Sequence, residues 1–252
     1  MAKQAGMGSN LYVDEYDISG DIGAIATIRG ARRILDVTDI TQSGIARLGG
    51  LREGEIAYTA FWDTVAGAEH LAFRSLPTTD RIMSVFLGAT VGSAAASIVA
   101  KQMGYGPNRG PDGSLIASIR GLSNAHGLEW SGGATGDGML TTGKQTFASG
   151  TINGTSVNLG STSTLFGAAG YLHVFSLGSG TPTVTIADSA NDSTFTPITG
   201  MAFAAITAPT KERIQSATDA TIRQYVRVQV TGTYTNLICA VNFVRYSASI
   251  AT

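Results

Sequence analysis

Hydrophobic and polar residues alternate with a period of two along most of this chain, the pattern of β-strands. In the segment EIAYTAFW, residues 55–62, one face carries Ile56, Tyr58, Ala60 and Trp62. The opposite face is also partly apolar, as in a strand of a packed sandwich. Similar patterns predict further strands at residues 22–28, 81–88, 96–103, 114–122 and 126–132. The chain is therefore predicted to be mainly β.

The second half of the chain consists of short alternating segments separated by turn residues. These segments are TSVNLG, GYLHVFSLG, TPTVTIADS, STFTPIT, MAFAAIT, IRQYVRVQVTGT and NLICAVNFVRY. In QYVRVQV, three valines alternate with Tyr225, Arg227 and Gln229, which predicts a half-buried strand. Roughly seven short strands in about 100 residues predict a β-sandwich of immunoglobulin-like or jelly-roll type.

One segment departs from the strand pattern and predicts a single short helix. It is VAGAEHLAFRSL, residues 65–76, which places Leu71 and Phe73 among alanines and also carries Glu69. This spacing suits a short amphipathic helix better than a strand.

A domain boundary is predicted in the stretch TTGKQTFASGTING, residues 141–154. This stretch is small, polar and rich in glycine, and it has no periodicity. We therefore divide the chain into residues 1–148 and residues 149–252.

The link between two predicted strands in residues 35–63, LDVTDITQSGIARLGGLREGEIAYTAFWD, is unusually long. A tight hairpin needs only about two to five connecting residues, and this link contains several glycines and arginines. Long loops in compact domains are usually functional or disordered. The link is therefore a candidate functional segment.

Composition argues against tight binding to nucleic acid. Only 14% of the 252 residues are charged, and the formal net charge is −1. This balance supplies no basic field to attract phosphate backbones. Near-zero net charge also removes long-range repulsion between copies of the chain, so that self-association is electrostatically permitted.

The single cysteine, Cys239, excludes a disulfide framework and lies in the apolar run NLICAVNFV, which predicts a buried side chain. The first residues lack the apolar segment of a signal peptide, and no run is long enough to span a membrane. We therefore expect a cytoplasm-like compartment.

Motifs that would carry chemistry are incomplete. GMLTTGKQ, residues 138–145, resembles a phosphate-binding loop but has Gln145 in place of the hydroxyl residue, so a linker is the favoured interpretation. No G-x-S-x-G motif occurs, and the histidines do not have metal-site spacing. These histidines are His70, His126 and His173. The sequence therefore predicts no catalytic, cofactor-binding or metal-binding residues.

Two turn-like segments leave alternatives open. DSANDSTF, residues 188–195, offers oxygen ligands for calcium from Asp188, Asn191 and Asp192, but a plain turn between strands is favoured. YGPNRGPDG, residues 105–113, is either a binding loop or a long hairpin turn.

The first half of the chain resembles the major tail proteins, or tail tube proteins, of long-tailed bacteriophages. The resemblance is carried by NLYVDEYDISGDIGAI, LDVTDIT, GIARLGGLREGE and IAYTAFWD in that order, followed by a short helix and RIMSVFLG. Residues 156–246 resemble the extra β-sandwich of some of these proteins, especially in TVTIADSANDSTFTPIT and QYVRVQVTGT. The resemblance implies a tail-tube-type β-sandwich or barrel followed by an exterior β-sandwich.

The resemblance also implies a mechanical function without an enzymatic step. In this family, closed rings, usually of six subunits, stack into a tube that conducts DNA. The long loop typically reaches the adjacent ring, and this implies a ring-stacking role for Ile45, Arg47, Leu48, Leu51 and Arg52. Acidic groups tend to line the channel, for which the candidates are Asp14, Glu15, Asp17, Asp21, Glu53 and Glu55. A solvated outer face explains the same acidic residues equally well.

The partners implied are other copies of the chain and the tip or baseplate, terminator and tape-measure proteins of the tail. Genomic DNA would pass through without specific binding, and the protein would reside in the virion after synthesis in the host bacterial cytoplasm. The second domain either makes weak contact with cell-surface glycans or is a solvated decoration.

Two alternatives remain at this stage. The first is a β-sandwich binding module that does not polymerise, such as an adhesin, a capsid decoration protein or a distal tail component. The second is a glycan hydrolase on a β scaffold, against which stands the lack of a paired-carboxylate signature. Unlimited polymerisation of the purified chain would separate the tube from the binding module.

Overall fold

The structure is a computed structural model that describes residues 8–65, 67, 69–132, 137–160 and 163–247. It confirms the prediction of a mainly β protein. The strands of the first half are β1 (Asn10–Val13), β2 (Tyr16–Asp17), β3 (Ile22–Asp36), β4 (Arg47–Phe61), β5 (Arg81–Phe86), β6 (Ala95–Arg109), β7 (Leu115–Ser123) and β8 (Glu129–Ser131). A short helix, α1 (Glu69–Phe73), lies between β4 and β5.

The strands of the second half are shorter and more numerous. They are β9 (Gln145–Phe147), β10 (Ile152–Asn153), β11 (Val157–Asn158), β12 (Ala168–Ser176), β13 (Ser179–Gly180), β14 (Thr183–Ser189), β15 (Thr196–Ala202), β16 (Thr210–Gln215), β17 (Tyr225–Thr231), β18 (Tyr234–Thr235) and β19 (Leu237–Arg245).

The described residues belong to two compact units that are not continuous in sequence. The described residues within 1–20, 84–97 and 130–252 form the sandwich unit, and those within 21–83 and 98–129 form the arm unit. The division falls within β5 and β6, which contribute residues to both units. The predicted boundary after residue 148 falls inside the sandwich unit, and as a boundary between independently folding parts it stays a prediction.

Two antiparallel sheets of the sandwich unit enclose an apolar core. One sheet has the order β16-β12-β19-β9, and the other has the order β10-β17-β14-β15, with β11 also paired to β17. The core takes side chains from both sheets, among them Leu172, Phe243, Ile186 and Val228. Each is fully buried, so burial of apolar area is the main stabilising term. The predicted C-terminal β-sandwich is confirmed.

Burial within β17 follows the predicted alternation. Val226, Val228 and Val230 are buried, whereas the residues between them are half-buried. Cys239 is also fully buried, as predicted. Burial raises the pKa of its thiol to about 12, so the side chain acts as a small apolar group rather than as a nucleophile.

A chain of buried polar side chains joins three segments of the sandwich unit. His173 in β12 lies with Nδ1 2.7 Å from the Asp14 carbonyl and Nε2 2.8 Å from the Ser84 hydroxyl. Ser84 in turn bonds Ser97 at 2.7 Å, and Asn242 donates to Ser97 at 2.9 Å. Because each of these buried groups finds a partner, the cost of removing it from water is offset.

The arm unit is a sheet of long antiparallel strands with α1 packed beside it. Its strands pair in the order β6-β7-β4-β3. The predicted helix over residues 65–76 is confirmed only for Glu69–Phe73, and residues 66 and 68 of the prediction lie outside the described residues. Phe73 anchors α1 by packing on Tyr58 of β4 at a ring distance of 6.0 Å.

Candidate functional site

The most unusual feature of the arm unit is a two-stranded extension, residues 30–54, here called the hairpin arm. β3 and β4 pair from Ile22↔Ala60 to Asp36↔Arg47, but β7 pairs with β4 only from Glu55 onward. Beyond Glu55, β4 therefore has β3 as its only strand partner among the described residues. β3 is the last strand in its sheet, so both edges of the arm present backbone groups without a strand partner.

The prediction of a long loop in this segment is wrong for most of its length. Only residues 37–46 connect the strands, because β3 continues to Asp36 and β4 begins at Arg47. Gly49, Gly50 and Gly54 interrupt the apolar alternation, which made the segment look irregular in sequence. Backbone pairing with β3 nevertheless holds this part of β4 as a strand.

The hairpin arm carries a dense set of exposed apolar side chains. Leu35 lies directly opposite Leu48, and both are about half-exposed. Leu51 is 85% exposed, and Ile40 at the tip is fully exposed. Including these four, the exposed large apolar residues of the arm are Ile34, Leu35, Val37, Ile40, Ile45, Leu48 and Leu51. Clusters of this kind usually mark interaction surfaces.

The structure brings the five predicted stacking residues onto this arm. Ile45 lies in the connecting tip, whereas Arg47, Leu48, Leu51 and Arg52 lie in β4 rather than in a loop. The sequence interpretation missed the contribution of β3, which adds Ile34 and Leu35. A signal was present, because the apolar residues of residues 22–28 continue at Ile34 and Leu35.

The base of the arm is fixed against residues 127–129. A Cβ on Gly54 would lie 2.4 Å from the backbone nitrogen of Leu128, so only glycine fits at this position. Arg52 lies opposite Arg32 across the strands, and its guanidinium is 3.9 Å from the buried carboxylate of Glu129. The base is therefore a packed attachment point.

The tip of the arm has local order of its own. Asp36 accepts hydrogen bonds from the amide and hydroxyl of Thr38, and Asp39 does the same for Thr41. These bonds lower the pKa of both carboxyl groups. Val37 donates its amide to the Ala46 carbonyl at 3.0 Å, which closes the connection.

The six residues predicted to form an acidic lining have different environments. Asp14, Glu15 and Asp17 belong to the sandwich unit, and Asp21, Glu53 and Glu55 belong to the arm unit. Their role as a channel lining stays a prediction.

Several of these acidic groups are already paired with cations. The Asp14 carboxylate is buried 3.5 Å from Lys211, and Asp17 lies 2.7 Å from Lys144. Glu55 is bonded by Arg120 at 2.6 Å and Arg29 at 3.1 Å, which together lower its pKa. Such pairs reduce the free negative charge that these positions can offer to DNA.

The side chains that the sequence offered as possible calcium ligands make hydrogen bonds within the fold. Asp188 is bonded by the Arg223 guanidinium and backbone amide, and Asn191 accepts bonds from Ser193 within the following turn. In the described ranges, no group of three or more His, Cys, Asp or Glu side chains is arranged to hold a metal ion. Nor do these ranges contain a helix with the length and hydropathy needed to cross a membrane.

Comparisons with known proteins return no family model and no curated relative. Among solved structures, the chain is similar to the Dit protein of phage SPP1, described as a paradigm of the hub adsorption apparatus in phages infecting Gram-positive bacteria. The identity is 11%, the coverage is 94% of this chain and 99% of that chain, and the TM-score is 0.33.

The phage p2 baseplate in its activated conformation gives comparable values. The strontium-bound structure is 8% identical over 96% of this chain and 99% of that chain, with a TM-score of 0.31. The calcium-bound structure is 9% identical over 97% of this chain and 100% of that chain, also with a TM-score of 0.31. Scores of this size do not establish a shared fold.

Proposed function

We propose that this protein is a structural component of a bacteriophage tail that assembles with copies of itself through the hairpin arm. The observation that carries the proposal is the set of seven exposed apolar side chains on a two-stranded extension whose edges have no strand partner among the described residues. The sequence resemblance to tail tube proteins gives the biological context. The proposed role is mechanical, because contact between copies of the chain builds the assembly without a chemical reaction.

The energetics favour a repeated contact over a single one. Burial of an exposed aliphatic side chain contributes about 1.5 to 3 kcal/mol, so covering all seven partly exposed groups, on both faces of the arm, contributes at most on the order of 10 kcal/mol. Association costs about 4 to 15 kcal/mol in lost freedom, and one arm therefore gives a weak contact. In a closed ring, each subunit makes two contacts. Ring closure therefore stabilises the assembly even though the same contact between two isolated copies is weak.

The arm also provides specificity for its partner. Its free strand edges can pair with an exposed strand of another copy, and paired edges no longer invite disordered aggregation. Arg47 is exposed near the tip, where it can bond a carboxylate of the neighbouring copy. An apolar surface with unpaired backbone and a few arginines suits a protein partner.

Stacked rings that form a tube are the first assembly we propose, with DNA passing through the channel without specific binding. A single ring at the distal end of the tail is the alternative, in line with the hub and baseplate names of the similar structures. In both cases, the partners would include other tail proteins. Contact of the sandwich unit with surface glycans stays a prediction.

Negative-stain electron microscopy of the purified full chain, across salt and protein concentration, tests this function. Hollow tubes support the first assembly, and isolated rings of uniform size support the alternative. Replacing residues 38–45 by Asn-Gly would join Val37 to Ala46 through a two-residue turn without interrupting the paired strands. This shortened arm should reduce assembly, whereas particles of single-chain mass for the parent protein under all conditions would contradict the proposal.

A further inference from the structure

Glu69, the first residue of α1, is a buried carboxyl group without an ordinary structural role. Its side chain is fully buried. Neither carboxylate oxygen makes a hydrogen bond of regular geometry within the portion of the chain that the structure describes. Buried carboxylates are normally paired, since an unpaired ionised group far from water is costly. The protonated form is therefore the one that suits this position.

A second carboxyl group lies next to Glu69. The Asp21 carboxylate accepts the backbone amide of Glu69 at 3.1 Å, and the Asp21 carbonyl accepts the amide of Phe61 at 2.7 Å. Asp21 thus attaches the start of α1 to the end of β4. Burial and, secondarily, the charge of Asp21 raise the pKa of Glu69 to about 7.

None of the groups that shift the pKa of Glu69 is a cation. Tyr58 in β4 is fully buried, and its hydroxyl has no hydrogen-bond partner among the described residues. Burial and then the charge of Glu69 raise the pKa of Tyr58, and the charge of Arg81 opposes them. Arg81 in β5 donates to the Ala72 carbonyl at 2.5 Å and lies over the Phe73 ring. The Tyr105 hydroxyl in β6 lies within loose hydrogen-bonding reach of Glu69, and this contact lowers the pKa of the Glu69 carboxyl.

The two ends of α1 are held by different means. At the C-terminal end of α1, Gln102 donates to the Phe73 carbonyl at 2.7 Å, and Arg81 donates to the Ala72 carbonyl. These bonds involve no acidic group. The first turn depends on Asp21 and on the burial of Glu69. Ionisation of Glu69 would place its negative charge beside that of Asp21 in a poorly hydrated site. We expect the first turn of α1 alone to loosen in response.

We propose that Glu69 is a proton-controlled latch: its protonated carboxyl keeps the first turn of α1 packed against Asp21 and Tyr58, and its ionisation releases that turn. The latch operates near neutral pH. It is independent of the proposed function, since it belongs to the arm unit whether or not the hairpin arm forms assemblies.

Trp62 reports directly on the first turn of α1. Its indole Nε1 donates to His70 Nδ1 at 3.1 Å, and the Tyr105 hydroxyl lies 2.7 Å from His70 Nδ1. The only other tryptophan is Trp130. The substitution Trp130→Phe at that half-exposed position therefore makes fluorescence specific to Trp62.

The experiment follows Trp62 emission from pH 5 to pH 9 in the Trp130→Phe protein. The latch predicts a reversible transition with a midpoint near pH 7 that disappears in Glu69→Gln. His70 accepts the hydrogen bond from Trp62, so His70→Asn is the matched control and should keep the transition. Asp21→Asn should move the midpoint towards acid, since it removes the neighbouring charge while keeping an oxygen acceptor.

Amide hydrogen exchange provides a readout that does not depend on fluorescence. After correction for base catalysis, the amides of the first turn of α1 should exchange faster above pH 7 than below it, and this difference should be lost in Glu69→Gln. A fluorescence transition that survives Glu69→Gln but is lost in His70→Asn would overturn the proposal. The absence of any transition in the Trp130→Phe protein would also overturn it.

Discussion

Leu35 and Leu48 lie directly opposite each other on the two strands of the hairpin arm, and both are about half-exposed. Opposed leucines on a paired ribbon place apolar groups side by side, which lone surface leucines do not. Together with the other exposed apolar residues of the arm, Leu51 among them, they are here called the apolar strip. The strip is held by backbone pairing and by the packed base of the arm. It is therefore a preformed surface that loses little conformational entropy when a partner covers it.

Polar substitutions on this strip should weaken self-association without unfolding the chain. In the double variant Leu48→Ser and Leu51→Ser, both changed side chains are already exposed, so the free energy of unfolding should change by less than about 1 kcal/mol. Sedimentation velocity over a concentration series should show a loss of large species.

The matched control for this prediction is Leu165→Ser in the sandwich unit, where Leu165 is 61% exposed. It should leave the sedimentation profile unchanged. Equal losses in the control and in the arm variant would show that surface hydrophobicity in general, rather than the arm, drives the association.

The base of the arm should be sensitive to a single methyl group. Gly54→Ala places a Cβ 2.4 Å from the Leu128 backbone nitrogen, so the backbone must shift. We expect the free energy of unfolding to fall by about 1 to 3 kcal/mol, as for other overpacked sites. Thermal unfolding followed by circular dichroism measures this change.

Gly44→Ala is the control for the base, because a Cβ at Gly44 meets nothing within 4 Å. Its melting temperature should match that of the parent protein. A parent-like melting temperature for Gly54→Ala would show that Leu128 moves freely and that the base is not packed as described.

The sandwich unit should lose stability in acid because of His173. Burial lowers the pKa of His173 to about 4, below its value of 6.5 in an unfolded chain. The unfolded state therefore binds more protons between these values, and the free energy of unfolding falls as the pH drops from 6.5 to 4. The loss amounts to at most about 3 kcal/mol, since one unit of pKa corresponds to about 1.4 kcal/mol.

Denaturant unfolding of the parent and of His173→Asn at several pH values measures this dependence. The variant should be less stable at neutral pH, because it loses buried hydrogen bonds, but its stability should vary less between pH 6.5 and pH 4. An unchanged slope in the variant would show that other groups account for the acid sensitivity.

Glu69 should give the free energy of unfolding the opposite pH dependence to that given by His173. Because its pKa is raised from 4.5 to about 7, the folded state binds more protons than the unfolded state between these values, and the free energy of unfolding falls as the pH rises. Glu69→Gln should therefore reduce the stability lost between pH 4.5 and pH 7. Denaturant unfolding at these two pH values compares the variant with the parent, and equal losses would contradict the assignment.

The sequence predicted strands best where burial imposes a strict alternation. The valines of β17 and the apolar run of β19 carry that signal in their own residues. β16 was missed because its residues, TKERIQ, are mostly polar and all only half-buried. It is an edge strand that depends on pairing with β12, which is remote in sequence.

The candidate site was only partly predictable for a related reason. Ile45, Leu48 and Leu51 stand out as apolar residues in a polar segment, so the surface could be found from the sequence. The two-stranded structure of this surface could not be predicted, because Gly49 and Gly50 are held in a strand by pairing with β3. The assignment of residues 84–97 to the sandwich unit also depends on contacts that no local pattern encodes.

Photo-cross-linking from position 51 tests the central claim most directly. A benzophenone amino acid replaces Leu51, and mixed ¹⁴N- and ¹⁵N-labelled subunits allow mass spectrometry to separate contacts between subunits from contacts within one. We predict mixed-isotope cross-links from position 51, mapping to one defined surface, and none from the same probe at position 165. Cross-links only within single subunits, at concentrations where large species are present, would contradict assembly through the hairpin arm.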